Sequence, residues 1–417
     1  MALTDAWVWR PGNIEELDGC AGECLAPVCD LLEDQTVRVD ELDRTIAWGQ
    51  FLDSGHHSDQ QWGRFGTSAA LQVFAMAHHW DDQERSVYST SPVNGVKGAL
   101  PDEVPPANQG PKREDFDDPL KLAFMIDSLY LDEIDQRLPR ENPPLVKHLL
   151  SLALPTNEGW STRGTDDPRR QDRLLVTAFA LHTLRRFPEA LNAEEIVNAW
   201  DWLATQLRRR TSLLGADVLA MGCLALRCCP QSRQSKIVTE SFDLVRQELV
   251  DRHGGERCPA IDRPYFNPYS RGEVNDYLFL SPELLTALFF LEEDDRPADV
   301  RAFSLEVVHR VVEQIRTENR DSSNPEGFRV QRGMLGTVDQ MWAIRVLFAF
   351  HRAHRRNAAK LRPVGRFVFV SGLIAIPVTV ALIFALYVFG GTPGAAAAGV
   401  LGAFLSVLLF PFVKRRD

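Results

Sequence analysis

The chain has 417 residues, a formal net charge of −11 at pH 7 and a hydrophobic share of 45%, enough to build one large or two ordinary domains around a real core. From Gln340 onward ten basic residues face a single acid, a net +9, which leaves −20 on the residues before it. A body this acidic repels phosphate backbones, and nucleic acid is excluded as a general partner.

The opening stretch MALTDAWVWRPGNIEELDG has neither a basic n-region nor an apolar h-region, so no cleavable signal peptide is expected and the soluble part is expected to stay in the cytoplasm. Residues 1–66 read as an N-terminal segment that packs on a helical domain. The seven cysteines fall into three groups, Cys20, Cys24 and Cys29, then Cys223, Cys228 and Cys229, then Cys258. None forms a C-x-x-C pair and no histidine follows at finger spacing, so they read as buried reduced thiols, and neither a metal nor a cofactor is expected.

Apolar residues recur at three- and four-residue spacing along residues 67–361, with little β-type alternation. The spacing predicts helices near 67–79, 119–133, 143–154, 172–187, 193–210, 215–229, 235–252, 281–292, 297–317 and 337–360, assembled as antiparallel hairpins. Between them lie loops rich in glycine, proline and aromatics at 49–66, 86–117, 155–170, 254–280 and 319–336, a length typical of functional or flexible segments. The 86–117 segment holds five prolines and is expected to be flexible. An aromatic–glycine loop, a Thr, Asp or Ser at a helix start and an apolar helix recur four times, led by Trp62, Trp160, Phe266 and Phe328. Thr67, Asp172, Ser281 and Asp339 at those starts read as N-caps.

Asp115-Phe116-Asp117-Asp118 places three carboxylates just before a helix. Asp118 as N-cap and Pro119 as first helical residue explain the cluster through capping and the helix dipole. His56-His57 and the run His78 to Asp82 carry metal-type side chains, which a hydrated helix end explains equally well. Asn275-Asp276-Tyr277 sits in a long aromatic loop where capping gives no account of it, and it reads as a pocket feature. P-loop, dinucleotide, nucleophile-elbow and HExxH motifs are absent.

From Phe367 to Val413 there are 47 residues without a charge, twice the roughly 20 that one membrane crossing needs. Gly390-Gly391-Thr392-Pro393-Gly394 divides the run into spans 367–389 and 395–413. Arginines and lysines flank both outer ends, so the positive-inside rule puts both termini in the cytoplasm, at an inner membrane. Ala395, Gly399 and Ala403 are small residues at four-residue spacing, which suits close helix packing within the hairpin or a homo-oligomer. His351–Arg366 reads as a contact with anionic lipid. Residues 362–417 are thus a membrane-hairpin unit.

The recurring loop and helix pattern of residues 67–361 resembles the α/α-toroid superfamily, which includes terpenoid cyclases and protein prenyltransferase β-subunits. The expected fold is all-α, a toroid-like array of helical hairpins followed by a two-helix transmembrane hairpin. In such toroids the loops before the inner helices line a cavity at one end. The resemblance implies a ligand pocket drawing on Trp62, Arg64, Trp160, Tyr269, Asn275, Asp276, Tyr277, Arg332, Asp339 and Trp342.

It also aligns Asp115 to Asp118 with the D-x-D-D acid of class II cyclases, making Asp117 and Asp118 the catalytic residues of an enzymatic reading. Two readings follow. One is a non-enzymatic helical module that binds a small molecule or protein partner and acts at the bilayer, for instance as a bacterial stress or defence effector. The other is a toroid enzyme acting on a lipid-derived or carbohydrate substrate. A buried Asp117 in a deep aromatic cavity favours a cyclase, whereas a filled core with exposed aspartates favours the module.

Overall fold

The computed structural model describes residues 11–40, 45–49, 52, 62–80, 100, 103–106, 116–130, 142–161, 171–253, 265–266, 278–293, 298–318 and 336–355. The chain divides into two compact units, Met1–Ala353 and His354–Asp417. The uncharged run 367–413 lies outside the described residues. Among the described ones, no helix is long and apolar enough to cross a membrane.

The helical array begins earlier than the periodicity suggests, with α1 (Pro11–Glu23) and α2 (Leu25–Asp34). Its later members are α3 (Arg64–Trp80), α4 (Pro119–Leu129), α5 (Pro144–Ser151), α6 (Gln171–Leu184), α7 (Ala199–Arg210), α8 (Ala216–Arg227), α9 (Lys236–His253), α10 (Pro282–Glu292), α11 (Ala298–Glu318) and α12 (337–355). Two short antiparallel pairs accompany them, β1 (Val37–Asp40) with β2 (Thr45–Ala47), and β3 (Tyr265–Phe266) with β4 (Leu278–Phe279). Two short stretches sit in the 86–117 segment's place in the core, where Leu100 and Phe116 are buried.

Residue type separates two layers. On α3 every residue from Arg64 to Ala77 is buried, and α10 is buried from Glu283 to Leu291. On α9 only Val238, Ser241, Val245 and Leu249 are buried, a single stripe at helical spacing. A helix covered on all sides must lie inside, and one with a stripe must lie outside. The contacts agree: α3 packs on α4, α4 on α6, α6 on α8 and α8 on α10.

Helix α12 returns to α3, where Trp80 stacks on His351 with ring centroids 4.3 Å apart. At the opposite end of α12, Thr337 Oγ1 donates to the Gly49 carbonyl at 2.6 Å. Outside this ring α7 lies against α9, α9 against α11, and α11 against α1. This all-α, two-layered array resembles an α/α toroid. Start meets start where Arg64 packs on Phe116, and end meets end where Asp127 pairs with Arg185 and Arg227 with Glu292, so these inner helices run the same way and their dipoles add.

A repeated rivet fixes the hairpins. Trp48 Nε1 donates to the Leu32 carbonyl at the end of α2 (2.6 Å), and Trp160 Nε1 donates to the Leu149 carbonyl near the end of α5 (2.7 Å). The backbone of each tryptophan brackets a threonine of the following inner helix, Trp48 N and O on Thr67 Oγ1, Trp160 N and O on Thr177 Oγ1. Thr67 is therefore not an N-cap but a residue inside α3, and the partner of Trp160 in the repeat is Trp48 rather than Trp62. Gly159, at φ +98°, lies so close to Thr177 that a Cβ there would collide with it.

A chain of aromatic contacts links four inner helices. Phe65 meets Phe124 at 5.2 Å between centroids, Phe124 meets Phe179 at 5.3 Å, and Phe179 meets Trp342 at 6.1 Å. These four rings come from α3, α4, α6 and α12.

Toward the C-terminal ends of the inner helices, the buried Asp127 of α4 is paired with Arg185 Nη1 at 3.2 Å and Arg186 Nη2 at 3.3 Å, and also with Arg345 of α12. Burial by itself raises the pKa of Asp127, but Arg186, Arg345 and Arg185 outweigh it and hold the carboxyl well below its usual range. His182 is also buried, and burial followed by the charge of Arg185 keeps it neutral, its pKa well below 6.5. The native state therefore refuses a proton that the unfolded chain accepts below pH 6.5, so stability falls as pH drops through that value. Urea unfolding between pH 7 and 5 is expected to show this slope, up to about 1.4 kcal/mol per pH unit for the one proton, and His182→Gln is expected to flatten it. The Asp127 contribution is present above its unfolded pKa and is lost only in stronger acid.

Candidate functional site

The positive dipole ends of the inner helices converge on one mouth of the ring, and acidic residues gather there. Asp118 is the N-cap of α4: its Oδ1 accepts from Leu120 N at 3.0 Å and Lys121 N at 2.9 Å, with Pro119 as first helical residue. The Asp-Pro pair thus folds as its sequence predicts. Asp217 lies over the start of α8, where burial raises its pKa against the hydrogen bond it accepts from Val218 N. Ser281 caps α10, accepting from Leu284 N at 3.3 Å and donating to Glu283 Oε2 at 3.1 Å. Asp339 is buried in the first turn of α12.

Against this background one cluster joins a largely buried guanidinium and a half-buried indole to an exposed carboxylate. The Arg64 guanidinium, at the first residue of α3, lies 5.6 Å from the ring centroid of the half-buried Trp62 and 5.1 Å from that of the fully buried Phe116. Such contacts are worth roughly 0.5–2 kcal/mol each and fix the guanidinium plane. Next in sequence, Asp117 has a side chain 48% exposed, and its Oδ1 lies 3.2 Å from His148 Nε2 on α5. Ser151 Oγ reaches His148 Nδ1 at 3.4 Å, completing a Ser–His–Asp chain. Its hydroxyl also donates to the His148 carbonyl at 2.7 Å, a shorter contact that holds the proton on the helix.

The sequence-predicted site residues fall into three sets. Trp62, Arg64, Asp117 and Asp118 come together at the mouth. Trp160 is fully buried with its indole committed to the Leu149 carbonyl, and Trp342 and Asp339 are buried in α12. Tyr269, Asn275, Asp276, Tyr277 and Arg332 lie outside the described residues. Sequence reasoning missed His148, 31 residues from Asp117, and Phe116, which it read only as the spacer of an acidic motif.

Among the described residues no group of three or more His, Cys, Asp or Glu is placed to hold a metal ion. The described cysteines are free thiols. Burial, the largest influence on each, pushes Cys24 and Cys229 up to about 12, which makes them poor nucleophiles at neutral pH.

No protein-family model matches this chain, and no curated protein matches it in sequence. Among solved structures it is similar to an inactive variant, with two aspartates replaced by asparagine, of the α-1,6-mannanase GH76A of Salegentibacter sp. HEL1_6 in complex with α-1,6-mannotriose. The likeness has a TM-score of 0.49 at 12% identity and covers 80% of this chain and 99% of that one.

Asp118→Ala removes acceptors from two helix-start N–H groups and is expected to lower stability by about 1 kcal/mol, whereas Asp118→Asn, which can still cap, loses much less. Equilibrium urea unfolding of the two variants checks the difference.

Proposed function

We propose that this chain is a toroid protein that takes a hydroxyl-rich, carbohydrate-class ligand at the Trp62–Arg64–Asp117–His148 mouth and is tethered to the inner membrane by residues 367–413. The reading is carried by the cluster itself. It offers a half-buried indole, a largely buried guanidinium packed against two rings, and a solvent-facing carboxylate beside an imidazole. An aromatic face packs on the C–H side of a sugar ring, while a planar donor and a carboxylate acceptor match vicinal hydroxyls. The fit to a lipid-derived substrate is poorer, because Asp117 is exposed.

The neighbouring aspartates favour hydrolysis as a second reading. Asp117 is exposed and Asp118 is buried at the helix start, and carboxylates in unlike environments are how acid and base roles are divided. Titration of the purified chain with mannotriose and other oligosaccharides, followed by an assay for released reducing ends, separates the two readings. The Trp62→Ala variant is expected to lose roughly tenfold or more in affinity, about 1.4 kcal/mol. If Asp117→Asn keeps binding and abolishes cleavage, the chain is a hydrolase. Binding without cleavage by any form makes it a binding module, and no binding to any oligosaccharide removes the carbohydrate reading.

The tether is tested separately by cell fractionation: the full chain is expected in the membrane pellet after alkaline carbonate washing, and the chain cut after Arg362 in the supernatant. A full chain released by carbonate would overturn it.

A further inference from the structure

At the ring end opposite the mouth, the described residues around Asp127 hold more positive charge than the described acids among them balance. Arg185, Arg186 and Arg345 face the single carboxylate of Asp127, a surplus of +2 once His182 is neutral. Among the described residues, Arg227 nearby is matched by Glu292. Helix carbonyls take part of the guanidinium hydrogen bonding: Arg185 Nη1 donates to the His182 carbonyl at 2.6 Å and Arg186 Nη1 to the Asp127 carbonyl at 2.8 Å.

Donors are left over. Arg186 Nη2 stands 3.3 Å from Asp127 Oδ1 but outside hydrogen-bonding geometry, and it has no hydrogen-bond acceptor. His182 Nδ1 lies 3.2 Å from Arg185 Nη1, which cannot accept, so the imidazole proton is assigned to Nε2, and Nε2 has no hydrogen-bond partner. A third donor in the same condition is the indole Nε1 of Trp342, whose ring lies 5.3 Å from the Arg345 guanidinium. Arg186 is 7% exposed, His182 4% and Trp342 2%. Buried donors without acceptors are rare in native proteins and are expensive to leave unmet.

We propose that Arg186, His182, Arg185 and Arg345 form a binding site for a tetrahedral oxyanion of the phosphate class. A phosphate dianion carries the −2 that cancels the surplus, and its oxygens supply the acceptors that Arg186 Nη2 and His182 Nε2–H lack. Arginine forks suit this geometry, and the negative helix ends nearby, which disfavour an anion, are already engaged by Arg185 and Arg186. Arg185 is a quarter exposed, so the group lies just beneath the surface and a small anion can reach it. The site is independent of the carbohydrate reading, since it shares no residue with the mouth.

The test is calorimetric titration and thermal unfolding of the full-length chain in detergent, at constant ionic strength, with inorganic phosphate replacing chloride. One saturable site per chain is expected, with a Tm that rises with phosphate. Arg186→Gln and, separately, His182→Phe are each expected to weaken phosphate binding at least tenfold. Should Arg186→Gln fail to fold, His182→Phe, which removes the donor without disturbing the charge balance, carries the test. A parallel arm with glycerol 3-phosphate distinguishes sources: binding in both arms points to a phosphomonoester, and binding of inorganic phosphate alone to the free ion. No saturable effect on the unaltered chain, or one that both variants leave unchanged, overturns the proposal.

Discussion

The parallel alignment of the inner helices is the constraint on which the rest of this structure depends. In most helical bundles neighbours alternate in direction and their dipoles cancel. Here each inner helix has its antiparallel partner in the outer layer, so the inner ring has one positive and one negative end. The distribution of buried charge follows from that. Asp118, Asp217, Glu283 and Asp339 sit at the helix starts, while Arg185, Arg186 and Arg227 sit at the helix ends. The acids are satisfied mainly by backbone N–H groups, as at Asp118, and the arginines mainly by carbonyls and Asp127.

Aromatic side chains from four of the inner helices pack against one another in a continuous chain. At the start of these helices Asp117 is exposed while Arg64 is largely buried. The mouth is rigid because its parts hang on structural devices. Arg64 is clamped between Trp62 and Phe116, and Asp117 immediately precedes a capped helix start. The tryptophan–threonine rivets hold the preceding loops to the inner helices, so the chain reaches the mouth at a fixed height.

The two ends differ in what they leave unmet. At the mouth the exposed carboxylate of Asp117 has an imidazole partner and can exchange it for a ligand hydroxyl at little cost. At the opposite end, unmet donors and surplus charge are enclosed, where the low dielectric magnifies both. A single carboxylate holding three guanidiniums is also a strong tie between α4, α6 and α12, elements far apart in sequence.

The sequence by itself determined the helices and their approximate limits, because apolar periodicity and start signals such as Asp118-Pro119 and Ser281-Pro282 are local physics. It also contained the aromatic–glycine repeat, though it paired Trp160 with Trp62 when the geometry pairs it with Trp48. Spacing alone does not say which tryptophan reaches the end of the preceding helix. It did not reveal α1 and α2 as helices, the pattern of α1 being broken by Gly19 and Gly22 and that of α2 by Pro27. Of the candidate site, Trp62, Arg64 and Asp117 were legible as loop residues before inner helices, but His148 and the Asp127 cluster were not. Those partnerships join residues 31 to 218 positions apart, and no local pattern encodes them. Only ring closure, which brings α12 back to α3 and α4, decides them, because burial and charge pairing across that distance exist only once the chain has folded.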